Sequence, residues 1–180
     1  MKTEDLKELE RNLKKAQPLS KWDSVRKWIP SMIIIPIALY WIINRGDYGL
    51  IDNADLVIHE AGHVFFMLFG KYIYTLGGTL MQIIIPSIIA LYFFRNFYRT
   101  GVQFSLLWLG QNFVNISVYA ADAQKRKLPL LGGNNVYHDW NYLLSEIGIL
   151  KYDAEVGYFF LGIAILLFTV AIILPLITQN

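Results

Sequence analysis

The sequence predicts an all-α membrane protein, a polytopic bundle of about five transmembrane helices, from three observations. The chain is 55 % hydrophobic with positive mean hydropathy, which is too apolar for an ordinary soluble domain of 180 residues. Its apolar residues come in blocks rather than at amphipathic spacing, a pattern typical of membrane spans. Charged residues are densest before residue 28. We therefore divide the chain into a basic cytoplasmic segment, 1–27, and a membrane domain, 28–180.

The basic segment is predicted to form an amphipathic helix on the inner leaflet. Leu6, Leu9 and Leu13 stand at helical spacing before Pro18, among many lysines that suit anionic lipid. A mobile basic tail is the alternative. The first apolar block begins near residue 28, after a long charged stretch, so it is expected to be a retained span and not a cleaved secretory signal.

Five apolar blocks predict the spans, which we place near residues 28–44, 53–70, 78–95, 102–121 and 156–177. With the N-terminus in the cytoplasm, thirteen Lys and Arg residues fall inside and only Arg45, Arg95 and Arg99 outside. This bias follows the positive-inside rule and supports an odd number of spans. We expect an integral protein of a bacterial inner membrane, whose second span runs inward and holds its site in the inner half of the bilayer.

Two segments outside the spans are expected to have structure of their own. Residues 71–75 are aromatic and β-branched, and with the nearby glycines they favour a short strand or hairpin. The loop between the fourth and fifth spans contains Gly132 and Gly133 and could re-enter the membrane. After it, an interfacial helix is predicted by five apolar residues that fall on one helical face, Trp140, Leu143, Leu144, Ile147 and Leu150.

The segment His59-Glu60-Ala61-Gly62-His63 carries the chemistry of this sequence. Residues four apart share one face of a helix, so His59 and His63 can bind one metal ion. Glu60 between them completes the HExxH pattern of zinc hydrolases, in which the glutamate is the general base for a zinc-activated water. Ionisable residues within a span are costly and mark function. Zinc is the cofactor this pattern predicts.

A third zinc ligand must supply nitrogen or oxygen, because the chain has no cysteine. His138 is the leading candidate, since it is the only histidine outside the motif. Asp139 beside it is an alternative ligand, or a partner that orients a ring or contacts substrate. Asp122, at the inner end of the fourth span, is the other candidate. These alternatives stay open at the level of sequence.

Amides within the spans are candidates for holding a substrate or an oxyanion. Gln82 lies in the third block, and Asn112 and Asn115 lie in the fourth among apolar neighbours. Hydrogen bonds between transmembrane helices are the alternative explanation for such residues.

This pattern resembles the site-2 protease family of intramembrane zinc metalloproteases and its looser bacterial relatives. The resemblance covers about residues 52–123: a transmembrane HExxH motif, a glycine-rich stretch, and a later span that ends in an aspartate. It implies that His59, His63 and Asp122 bind zinc and that Glu60 is the base.

Three functions follow from these residues. The first is a metallopeptidase that hydrolyses a peptide bond of a membrane-embedded substrate, and it predicts a lateral opening or an extended segment, 71–78, that pairs with an unwound substrate by strand addition. The second is a zinc-dependent lipid amidase or esterase, which needs an apolar tunnel for acyl chains. The third is a non-catalytic metal-binding protein, which has no need of Glu60. The expected partners are the bilayer and a membrane-embedded protein or lipid substrate, with no nucleic acid.

Overall fold

A computed structural model of the chain describes residue 4, residues 21–128 and residues 138–178. A short helix, Lys21–Arg26, leads into α1 (Ile29–Ile43), which is followed by α2 (Leu50–Phe65) and a 3-10 turn, Met67–Phe69. The chain continues through α3 (Lys71–Arg95), α4 (Arg99–Ala121), α5 (Asp139–Glu146), a second 3-10 turn, Leu150–Tyr152, and α6 (Asp153–Ile177). The predicted N-terminal amphipathic helix and the Gly132-Gly133 loop lie outside the described residues.

The fold is helical throughout the described part of the chain, as predicted, but five spans are not confirmed. Three helical segments are long and apolar enough to cross a membrane, namely Ser24–Ile43, Lys71–Arg95 and Leu150–Ile177. α2 has only 16 residues and contains Asp52 and Asp55 besides its metal-binding motif. α4 has 23 residues and carries three buried amides, Gln103, Gln111 and Asn112, which lower its hydropathy.

α4 is the central helix of the bundle, because it packs against α1, α3 and α6. Gly110 allows α6 to approach closely, since a Cβ at this position would lie 2.4 Å from the ring of Phe168 if the ring did not move. Gly157 of α6 lies in the same way against Ala121. The buried residues of α4 include three of its amides, so these polar side chains face the protein interior.

The contacts along α4 give the direction of its neighbours. Ser31 of α1 accepts a hydrogen bond from Gln103, and Gly46, just after α1, lies near Val118, so α1 and α4 run parallel. Phe93 of α3 meets Gly101, so α3 runs antiparallel to α4. We call the end of the bundle where α1 begins and α6 ends the terminal end, and the opposite end the distal end.

Both neighbours of α2 in the chain therefore meet it at the distal end, because α1 ends there and α3 begins there. The prediction of a second span running from one side to the other is not supported by these contacts. Asp55 of α2 bonds to Trp108 near the middle of α4, while His63 bonds to Tyr74 in the first turn of α3. α2 thus lies obliquely in the distal half of the bundle.

The predicted strand or hairpin at residues 71–78 was wrong, since this segment forms the start of α3. Gly70, at a φ of 83°, precedes the helix, and Gly77 and Gly78 then allow it to pack directly on α2. A Cβ at Gly62 of α2 would overlap the carbonyl of Gly77. Tertiary packing of two glycine-lined helices has outweighed the local preference of Tyr, Ile and Thr for extended structure. A helix does form after His138, but it ends at Glu146.

Candidate metal centre

Three side chains from two helices converge on one point. His59 Nε2 lies 2.9 Å from Asp139 Oδ2, and His63 Nε2 lies 3.3 Å from the same oxygen. Ligands of a tetrahedral ion with bonds of about 2.1 Å are separated by about 3.4 Å. The three residues, whose ligand atoms all lie within 4.8 Å of one another, could therefore hold a metal ion.

The elements that carry these ligands explain why they meet. His59 and His63 are one turn apart on the inner face of α2, and their ring centroids are 4.8 Å apart. Asp139 is the first residue of α5, and its backbone N–H donates to the hydroxyl of Tyr119 from α4. His59 and Asp139 are each 7 % exposed, so the site lies inside the fold.

The other ring nitrogens of both histidines face oxygen acceptors. His59 Nδ1 lies 2.8 Å from Gln82 Oε1, and His63 Nδ1 lies 2.9 Å from the backbone carbonyl of Tyr74. Acceptors at these positions favour the tautomer with hydrogen on Nδ1. In that tautomer Nε2, the ring nitrogen nearer Asp139, is the atom of each histidine that can bind a metal ion.

Asp139 has the ionised form that a cation prefers. Burial on its own would raise the pKa of Asp139, but its close contacts with the rings of His59 and His63 outweigh this effect and lower that pKa below its usual value. Two neutral imidazoles and one carboxylate are a donor set of catalytic zinc, with three protein ligands and one open position.

A hydrogen-bond chain extends from the site across three helices. Gln82 accepts from His59 and donates to Asn112 Oδ1 at 3.1 Å. Asn112 in turn donates to Asp55 Oδ1 at 3.3 Å, and Trp108 Nε1 donates to the same oxygen at 2.8 Å. Gln82 and Asn112 thus make interhelical hydrogen bonds, the alternative that the sequence left open. The chain ends on a carboxylate that is only 1 % exposed.

The third predicted amide has a similar arrangement nearer the start of α2. Asn115 Nδ2 and Gln111 Nε2 each donate to Asp52 Oδ1 at 2.7 Å. The other oxygen of Asp52 accepts from the backbone N–H of Gly49, which caps the helix. Of the three amides predicted to hold a substrate or an oxyanion, Asn115 and Gln82 line the cavity described next.

A cavity of about 350 Å³ adjoins the three ligands. Glu60 is exposed and lines it together with His59, His63 and Asp139. Further lining comes from the turn between α1 and α2, from the first half of α2, from α3 and α4, and from the segment after α4: Gly46, Asp47, Tyr48, Asp52, Leu56, Tyr74, Gln82, Asn115, Ile116, Val118, Tyr119 and Leu128. The cavity gives Glu60 and the metal ligands one shared space.

His138 and Asp122 lie beside the group and are not members of it. His138 Nδ1 accepts from the backbone N–H of Asn141 at 3.2 Å and so caps α5, while its Nε2 lies 3.6 Å from Asp122 Oδ2. Asp122 accepts from the backbone N–H groups of Lys127 and Leu128. Burial lowers the pKa of His138, although Asp122 opposes the shift. The geometry favours Asp139, the alternative, as third ligand.

Several residues around the site were missed by the sequence reasoning. Asp52 and Asp55 precede His59 by seven and four residues, so the helical period alone places them on its face. That spacing could have identified them. Tyr74 contributes a backbone carbonyl and Tyr119 a hydroxyl, and neither position carries a sequence signal.

No family model matches this chain, and no curated protein or solved structure matches it.

Proposed function

We propose that this protein is an intramembrane zinc-dependent metallopeptidase. The observation that carries the proposal is the convergence of His59, His63 and Asp139 at the edge of a cavity that Glu60 also lines. The HExxH order on α2 presents both imidazoles on one side and the glutamate next to them. Three apolar helices support a membrane setting, for which we propose a bacterial inner membrane.

The residues of the site have distinct roles in this proposal. His59, His63 and Asp139 hold the ion, and Gln82 and the Tyr74 carbonyl orient the rings. A zinc ion bound there would lower the pKa of a water and polarise the substrate carbonyl. Glu60 would act as the general base for that water and as the proton donor to the leaving amine. No described lining residue is Lys or Arg, so Glu60 has no cation beside it in the cavity.

The substrate in this proposal is a membrane-embedded protein. Strand addition by residues 71–78 is not available, because this segment is helical. The outer face of α2 carries exposed apolar side chains, among them Val57, Val64 and Phe65. In a bilayer that face would contact lipid, so a substrate segment could approach the cavity from the membrane beside α2.

Substitution of the proposed base tests the function directly. Glu60→Gln leaves the three ligands intact, so purified protein should keep stoichiometric zinc while hydrolysis falls about 10²- to 10⁴-fold. Zinc content and cleavage of a pool of internally quenched apolar peptides would be measured in detergent. Glu155→Gln is the matched control, because Glu155 is exposed on α6 and does not line the cavity.

Two outcomes would overturn the proposal. One is a parent protein that binds no zinc, and the other is a Glu60→Gln variant that cleaves as fast as the parent. Cleavage of a fluorogenic acyl ester without cleavage of any peptide would favour the lipid hydrolase instead.

A further inference from the structure

We infer that substrate reaches the metal from the membrane face opposite the chain termini, and that this face is the non-cytoplasmic one. That a substrate enters this cavity rests on the proposed function. The path of the chain through the membrane does not depend on it. It replaces the expectation of an inward-running second span with four crossings by α1, α3, α4 and α6.

The helix directions carry the first step. α1 runs parallel to α4, while α3 and α6 run antiparallel to it, as the pairs Gln103 with Ala171 and Gln124 with Asp153 show for α6. A helix that crossed the membrane between α1 and α3 would leave these two parallel. They are antiparallel, so α2 returns the chain to the face from which it came.

The length and position of α2 agree with this path. Its 16 residues span about 24 Å, which is shorter than a hydrocarbon core of about 30 Å. Its deepest contact is that of Asp55 with Trp108 and Asn112, near the middle of α4. From there it rises toward the distal end, where His63 meets the first turn of α3. A polar helix that enters halfway is tolerated where it lines a cavity inside protein.

The cavity gives an independent indication of the access face. Gly46 and Tyr48 of the α1–α2 turn and Leu128 after α4 all line it, and all three belong to the distal end. No lining residue among those described comes from the terminal end. There the helices are tied together by Ser31, which donates to the carbonyl of Ile172 at 2.8 Å, and by Gln103, which donates to Ser31 and to Ala171.

Charge then assigns the two faces. With four crossings, ten of the sixteen Lys and Arg residues belong to the terminal end, including the whole N-terminal segment, Arg95 and Arg99. Six belong to the distal end: Arg45, Lys71, Lys125, Arg126, Lys127 and Lys151. The positive-inside rule places the terminal end in the cytoplasm. The distal cavity, with Glu60 in it, then faces the opposite compartment, and the scissile bond lies in the outer half of the bilayer.

Single cysteines can test this path without interference, because the chain has no native cysteine. We would introduce Leu68→Cys, Glu146→Cys, Arg45→Cys and Asn96→Cys separately, all at exposed positions outside the proposed site. A membrane-impermeant maleimide should label the first three in intact right-side-out vesicles. Asn96→Cys, between α3 and α4, should be labelled only after permeabilisation.

The pattern separates the arrangements. Labelling of Asn96→Cys with protection of Leu68→Cys and Glu146→Cys is what five crossings require, and it would overturn the inference. A fully reversed pattern would keep the access face opposite the termini but overturn its assignment to the outside. Arg45→Cys is external in both the four- and five-crossing schemes and is the positive control for labelling, while a co-expressed membrane protein of known orientation reports the sidedness of the vesicles.

A second measurement addresses access to the metal itself. An impermeant chelator should strip zinc from the full-length parent in right-side-out vesicles and leave it in inside-out vesicles. The opposite result would overturn the inference even if the labelling pattern agreed with it. Failure of the parent to hold zinc at all would count against the proposed function, while the cysteine labelling would still decide the path of the chain.

Discussion

At the scale of single residues, the site depends on which nitrogen of each imidazole is free. Gln82 and the carbonyl of Tyr74 occupy the Nδ1 positions of His59 and His63. Both Nε2 atoms are thereby directed at Asp139. Gln82 cannot rotate its amide without losing two bonds, because its own N–H group is held by Asn112. The chain that ends at Asp55 thus fixes the ring of His59.

Gln82→Leu should weaken zinc binding without changing any ligand. Loss of such a partner of a metal-bound histidine costs about 10- to 100-fold in metal affinity, and titration of the purified variant with zinc would measure it. Gln103→Leu is the matched control, because Gln103 is also a buried amide but lies at the terminal end, where it is hydrogen-bonded to Ser31 and Ala171. Equal loss of affinity in both variants would show that general packing, and not the His59 contact, is responsible.

Two of the three candidate metal ligands could be predicted at this scale, and the third could not be decided. His59 and His63 are fixed by a helical period inside a single motif. His138 and Asp139 are neighbours in the sequence, and the choice between them depends on where α5 begins. His138 caps α5, because its ring accepts a hydrogen bond from the backbone N–H of Asn141. Asp139, the next residue, faces the two histidines of α2 instead.

At the scale of elements, the packing of α2 on α3 places the ligands. Gly62 and Gly77 bring the two backbones together, and Gly78 lies directly against the ring of His59. The three helices that are long and apolar enough to cross a membrane were recognisable in the sequence, because a membrane span has a characteristic length and composition. The helical start of α3 was not recognisable in the sequence. Its glycines allow close contact with α2, and that contact is not visible in the local sequence.

Gly78→Ala should disturb the metal site more than the fold. A Cβ there would lie 2.5 Å from His59 Nε2, so the ring must leave its place. We expect zinc affinity to fall at least about 10-fold, with a loss of unfolding free energy of about 1–3 kcal/mol from overpacking. Zinc titration and thermal unfolding in detergent would measure the two effects.

Gly162→Ala on α6 is the control for helix propensity, because nothing lies within 4 Å of a Cβ at that position. It should be neutral or slightly stabilising and should leave zinc affinity unchanged. Parental zinc affinity in Gly78→Ala would mean that His59 can bind the ion from another rotamer.

At the scale of the whole molecule, the proposed ion joins parts of the chain that are far apart in sequence. His59 and Asp139 are 80 positions apart, and between them lie two long helices and the segment 122–138. α5 packs mainly against α3 and α4, so its contact with α2 depends chiefly on Asp139 and the two histidines. An ion bound there would fasten α5 over the cavity.

Removal of zinc should therefore lower the thermal stability of the protein. A ligand that binds only the folded state at 100 times its Kd adds about 2.7 kcal/mol, so chelation should lower Tm and added zinc should restore it. Thermal unfolding of detergent-solubilised protein, with and without a chelator, would measure the shift. His63→Ala removes one of three ligands and should abolish the zinc-dependent part of Tm. If that variant showed the parental shift, zinc would be stabilising the protein at a different place, and the link between α2 and α5 would not be the reason.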